Sequence, residues 1–69
     1  MTFKIELDRE ADGRWIAEIP DLSGVMAYGV DQPEAVAKVQ ALALRVLAEQ
    51  LEHGEVSPRD ISISVPAGA

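Results

Sequence analysis

The sequence has no cysteine and only one histidine, and these two shortages exclude several kinds of site. Without cysteine the chain has neither a disulfide nor a thiolate metal ligand, and His53 alone cannot form a mixed His/Cys metal centre. One histidine also leaves no basis for a Ser-His-Asp relay beyond chance placement. With 69 residues, the chain depends on burial of apolar side chains, and we expect self-association to add stability.

Long apolar runs are also missing. Even Ala41–Leu44 is far shorter than the roughly 20 apolar residues of a transmembrane helix. The N-terminus carries no apolar core of a signal peptide. We therefore expect a cytoplasmic protein that has no membrane partner.

Positive charge is scarce, since six Lys and Arg residues stand against twelve Asp and Glu residues and the net charge is −6. Such a chain repels phosphate backbones, which argues against direct binding of nucleic acid. The same imbalance favours a basic protein as the partner.

The first thirty residues alternate apolar and polar side chains with the two-residue period typical of β-strands. The alternation predicts strands over Thr2–Asp8 and Arg14–Ile19, joined by a hairpin in which Gly13 adopts a positive φ. Pro20–Gly24 predicts a turn into a short third strand, Val25–Tyr28. A three-stranded meander follows from this pattern.

A helix is predicted from its entry and exit signals. Asp31 is the expected N-cap, Pro33 fits the first turn, and Glu34 stands three residues after the cap, as in a capping box. The helical period continues to about Glu52, and Gly54 suits the left-handed position that ends a helix.

Asp60–Val65 alternates again and predicts a fourth strand, so that the order is β-β-β-α-β. We expect an α+β fold with one four-stranded, antiparallel-rich sheet and one helix on one face, in a single domain over residues 1–69. The predicted core consists of Phe3, Ile5, Leu7, Trp15, Ala17, Ile19, Val36, Val39, Ala43, Val46 and Leu47.

Four short motifs between Asp12 and Ala35 together resemble one family, and the resemblance spans about Phe3 to Val65. They are Asp12-Gly13-x-Trp15, Ala17-Glu18-Ile19-Pro20-Asp21-Leu22-x-Gly24, Tyr28-Gly29 and Glu34-Ala35. This combination is similar to the HicB-like antitoxins of bacterial type II toxin-antitoxin systems. The positions that define its structural motif are Gly13, Trp15, Pro20, Gly24, Gly29, Asp31 and Glu34.

The resemblance implies a core akin to a partial ribonuclease H fold. It also implies a domain that masks HicA, a small basic mRNA-cleaving toxin. Many family members carry a further helix-turn-helix or ribbon-helix-helix segment that binds DNA. This sequence ends at Ala69 without one, and we expect no separate DNA-binding domain.

Acidic side chains crowd the first hairpin and its exit, and three explanations compete for them. A ribonuclease H-like core suggests a two-metal carboxylate site, but no acid of the helix converges with the strand acids. The acids could equally form a solvated face, or a surface that steers a basic partner. These residues are Glu6, Asp8, Glu10, Asp12, Glu18 and Asp21.

Glu18 and Asp21 are the candidate toxin-binding residues, because they flank the rigid turn at Pro20. We expect no catalytic residue, no metal site and no cofactor. Three functions remain open: an antitoxin that covers a basic toxin, a stand-alone oligomeric domain with another partner or none, and a residual metal-dependent nuclease. An apolar helix flank that includes Leu44 and Leu51 predicts a homodimer first and a homotetramer second. An unprotected strand edge is the alternative route to self-association.

Overall fold

Residues 1–67, which the computed structural model describes, form five strands and one helix. The α+β class is confirmed. The elements are β1 (Thr2–Lys4), β2 (Glu6–Arg9), β3 (Trp15–Glu18), β4 (Met26–Gly29), α1 (Gln32–Glu52) and β5 (Ser62–Ser64).

The first predicted strand changes its pairing partner at Ile5. Its first half, β1, pairs in parallel with β5, so that Phe3 lies beside Ile63, and the Ile5 N–H donates to the Ser64 carbonyl at 3.4 Å. Its second half, β2, pairs antiparallel with β3. The prediction of one four-stranded sheet is therefore wrong, because residues 1–67 form a parallel pair and a three-stranded antiparallel sheet ordered β2-β3-β4.

The last strand is shorter than predicted, since Asp60 and Val65 lie outside Ser62–Ser64. It pairs with β1 of its own chain. This pairing is extended at its start, where the Ser62 N–H donates to the Met1 carbonyl at 2.9 Å. The N-terminal ammonium of Met1 also donates to the Asp60 carbonyl, at 2.7 Å.

The two predicted turns are present, and a glycine with positive φ stands in each. In the first, the Glu10 N–H donates to the Arg14 carbonyl at 2.7 Å, and Gly13 has a φ of 92°. In the second, the Ile19 N–H donates to the Val25 carbonyl at 3.0 Å, and Gly24 has a φ of 77°. Residues other than glycine rarely adopt a positive φ, which explains why glycine stands at both positions.

The helix begins at the predicted cap. Asp31 Oδ1 accepts from the Glu34 N–H at 2.9 Å, and Glu34 Oε1 accepts from the Val30 N–H at 3.1 Å. This reciprocal pair differs from a standard capping box, because the side chain of Glu34 reaches one residue further back. At the other end, Gly54 follows the C-cap His53 with a φ of 71°, as predicted.

The core lies between α1 and one face of β3 and β4. Most of the predicted core is buried, but Leu7, Trp15 and Val46 are only half-buried against it. Leu22, Val25 and Ala35 are also buried, although they are not part of the predicted core. The complete buried set is Phe3, Ile5, Ala17, Ile19, Leu22, Val25, Ala35, Val36, Val39, Ala43 and Leu47.

Gly29 lets the helix start close to the sheet. A Cβ at this position would overlap the backbone nitrogen of Ala35 and lie 3.0 Å from the carbonyl oxygen of Asp31. Both obstacles are main-chain atoms, which cannot move without shifting the helix. The glycine of the family-like motif therefore has a steric role here.

Replacing Gly29 by alanine is expected to destabilise the fold by about 1–3 kcal/mol, because the added methyl group overpacks a rigid backbone contact. The measurement is the free energy of unfolding from urea denaturation. Val30→Ala, at the exposed neighbouring position, is the control and should change that free energy by less than about 0.5 kcal/mol. Equal stability of Gly29→Ala and the unmodified chain would contradict the close contact.

Candidate protein-binding surface

The sheet has one face that the helix does not cover. Ala17 faces α1 and is fully buried, so its neighbours on β3 point the other way. Pairing across the three strands aligns two rows on this uncovered face. One row is Glu6, Glu18 and Met26, and the other is Asp8, Ile16 and Tyr28; we call these six residues the outer face.

Both candidate binding residues lie at one end of the outer face. Glu18 ends β3 and stands directly opposite Glu6 on β2. Asp21 is exposed in the following turn, and together with Glu6 and Lys4 it lines a hollow of about 330 Å³. We call Glu6, Glu18 and Asp21 the acidic corner.

The acidic corner brings three carboxylates together, against the single cation of Lys4 in the same hollow. Within residues 1–67, none of its three carboxylates takes part in an ion pair. Like charges placed directly opposite each other in a sheet are unfavourable, so the Glu6–Glu18 pairing costs stability in the isolated chain. A cation bound from outside would relieve that repulsion.

The sequence alone presents Glu6 as one acid of a crowded hairpin and not as a candidate binding residue. The missing information was the strand register, which places Glu6 opposite Glu18. A hairpin loop centred on Asp12 implies that register, because residues equally distant from the centre face each other. The symmetry of the loop was therefore the signal that could have identified Glu6.

Two of the aromatic side chains, Trp15 and Tyr28, each have an arginine over the ring. The guanidinium of Arg14 lies 4.7 Å from the ring centre of Tyr28, and that of Arg9 lies 5.7 Å from the ring centre of Trp15. Trp15 is half-buried against the core, whereas Tyr28 is exposed on the outer face. Tyr28 is thus the aromatic side chain that the outer face offers to a partner.

In the hairpin loop, the carboxylate of Asp12 binds both the backbone and the guanidinium of Arg14. Asp12 Oδ1 accepts from the Arg14 backbone N–H at 3.0 Å, and Oδ2 accepts from Arg14 Nε at 2.8 Å. The backbone hydrogen bond, followed by the side-chain hydrogen bond and the charge of Arg14, holds the pKa of Asp12 below its ordinary value. This fixes the guanidinium between the loop and the Tyr28 ring.

The backbone contribution to the Asp12 pKa can be separated from the side-chain contributions with Arg14→Gln, which removes the cation and keeps the backbone N–H. We expect the pKa of Asp12 to rise only part of the way to its ordinary value in an NMR titration of the carboxyl carbon. Because the folded pKa is lowered, the stabilisation is present above the ordinary aspartate pKa and is lost as the pH falls through the lowered one. An unchanged Asp12 pKa in the variant would exclude any contribution from the side chain.

The described part of the chain offers neither a group of metal ligands nor a helix able to span a membrane. Among residues 1–67 no three His, Asp or Glu side chains are grouped so that they could hold a metal ion. In the same part of the chain no helix combines the length and the apolar character needed to cross a membrane. Comparisons with family models, with curated proteins and with solved structures find no match to this chain.

Proposed function

We propose that this protein is a HicB-like antitoxin, which binds a small basic HicA-like toxin and covers its RNA-cleaving site without catalysing a reaction. The observation that carries this proposal is the acidic corner at the end of the outer face, where Glu6 and Asp21 are exposed and Glu18 is half-buried. The motifs that resemble the HicB-like family and the α+β fold support it.

Charge explains how such a protein would neutralise its partner. A toxin that cleaves RNA has to hold phosphates and therefore presents a basic surface. Carboxylates that occupy this surface compete directly with the substrate. The net charge of −6 also raises the rate at which the two proteins meet.

Rigidity of the turn supports the role of Glu18 and Asp21. Three backbone hydrogen bonds hold the turn that joins β3 to β4: Ile19 N–H to Val25 O, Leu22 N–H to Ile19 O, and Val25 N–H to Leu22 O, each between 3.0 and 3.1 Å. A carboxylate on an ordered backbone loses little conformational entropy when it binds.

The apolar members of the outer face would complete the interface. Ile16, Met26 and Tyr28 lie beside the acidic residues, and Tyr28 and Met26 are about two-fifths exposed. Protein interfaces commonly have an apolar, aromatic centre with a charged rim. In the proposed complex these three residues form the centre and the acidic corner lies at the rim.

A stand-alone oligomer is the second candidate function, and an exposed apolar flank of α1 favours it. Leu44 is 54% exposed and Leu51 is 37% exposed. Ala37, which precedes Leu44, and Ala48, which lies between the two leucines, are exposed on the same side of the helix. The proposed assembly is a homodimer or a homotetramer. A residual nuclease remains testable in the same samples, since Mg²⁺-dependent RNA cleavage that disappears in Asp8→Ala would establish it.

The antitoxin proposal predicts a specific kinetic effect of Glu18→Lys combined with Asp21→Lys. The partner is first identified as a small basic protein that co-purifies with this chain from its native host. We expect association at low salt to slow at least about tenfold, because electrostatic steering is reversed. The salt dependence of the association rate should flatten, since fewer attractive charges remain to be screened.

The matched control is Glu49→Lys combined with Glu52→Lys, which makes the same change in net charge on an exposed part of α1. This control should lose much less of the association rate than the double variant of the acidic corner. Equal slowing in both variants would show that overall charge, rather than the acidic corner, steers the encounter. Absence of any basic co-purifying protein would favour the stand-alone oligomer.

A further inference from the structure

We propose that β4 is the interface of a symmetric dimer, in which it pairs antiparallel with β4 of a second copy and joins two three-stranded sheets into one of six strands. The pairing does not require a toxin, although Met26 and Tyr28 belong to both proposed surfaces. In the sheet ordered β2-β3-β4, β4 lies at the edge, and no strand of residues 1–67 pairs with its other side.

The free edge of β4 lacks the usual protection. Natural edge strands avoid pairing through charged side chains, proline or bulges. The segment Val25–Val30 contains no charged residue and no proline, although the chain as a whole carries −6. Three of its large side chains are exposed: Met26 at 43%, Tyr28 at 41% and Val30 at 74%.

Backbone geometry determines which groups point outward. The hydrogen bond from the Ile19 N–H to the Val25 carbonyl shows that Val25 directs its main-chain groups toward β3. Because these directions alternate along an antiparallel strand, Ala27 and Gly29 also face β3. Met26 and Tyr28 therefore present their N–H and C=O groups at the free edge.

The cap of α1 limits how far a new ladder can extend. The Val30 N–H already donates to Glu34 Oε1, so it is unavailable to a second strand. The ladder that uses the remaining outward groups has its two-fold axis at Ala27 and places Met26 opposite the partner subunit's Tyr28. This register gives four main-chain hydrogen bonds, two in each of its two equivalent residue pairs.

Side chains are complementary in the same register. Each Met26 thioether meets the partner's Tyr28 ring, a favourable sulfur–aromatic contact. Arg14 lies over Tyr28, and Glu18 lies beside Met26 on the neighbouring strand. The two-fold axis therefore brings Arg14 of one copy toward Glu18 of the other. Opposite charges then face each other at both ends of the interface.

Met26→Lys tests the interface. A lysine on an edge strand opposes pairing, although it lowers the net negative charge and would otherwise reduce repulsion between copies. In analytical ultracentrifugation across the micromolar range, we expect the unmodified chain to dimerise and Met26→Lys to raise the dimer dissociation constant at least about tenfold. Circular dichroism checks that the variant is folded, and Tyr28→Lys serves as the second variant.

Two controls separate this interface from the alternatives. Val30→Lys makes the same charge change outside the ladder and should leave the dissociation constant within about threefold. Leu44→Lys alters the exposed flank of α1. If Leu44→Lys dissociates the dimer while Met26→Lys does not, the interface lies on the helix and the proposal is wrong.

Hydrogen exchange tests the register in the unmodified chain. The amides of Met26 and Tyr28 should exchange more slowly as protein concentration rises, whereas the Val30 amide, already bonded to Glu34, should not change. A monomer at every concentration, or protection of Met26 and Tyr28 that does not depend on concentration, would overturn the proposal.

Discussion

The close approach of α1 to β3 and β4 is the contact on which the rest of the structure depends. Small residues make it possible: Ala17, Ala35 and Ala43 are fully buried between the two layers, and Gly29 has no space for a Cβ. Larger side chains would separate the layers and expose Val39, which is also fully buried. So small a core tolerates little loss of packing, because few other apolar contacts exist to compensate.

The single helix packs on only one face of the three-stranded sheet, so the two faces of that sheet have different roles. The covered face supplies stability through apolar contacts. The outer face is left in water, where it carries Glu6 and Glu18 beside Met26 and Tyr28. A mixed surface of this kind can bind a partner through charge and apolar contact together, whereas the free edge of β4 offers main-chain groups. The two proposed interactions share the side chains of Met26 and Tyr28, and only the dimer also uses main-chain groups of β4.

Features that depend on neighbours along the chain could be predicted, and features that depend on distant pairing could not. Asp31 and Glu34 stand three residues apart and cap the helix largely by local geometry, so the sequence contains the whole signal. Ile5 continues the alternation of its segment without interruption, and nothing local reveals that pairing passes from one partner to another there. Glu6 lies twelve positions from Glu18, and the two carboxylates are adjacent only in a register centred on Asp12, which strand alternation by itself does not fix.

The parallel pairing of β1 with β5 has a consequence for the order of folding. Thr2 lies beside Ser62, so this contact closes a loop that includes almost the entire chain, whereas the β2-β3 and β3-β4 hairpins close loops of a few residues. Loop-closure entropy makes the distant contact the slower one to form. The hairpins and the helix should therefore assemble first, and the two ends of the chain should join a nearly finished structure.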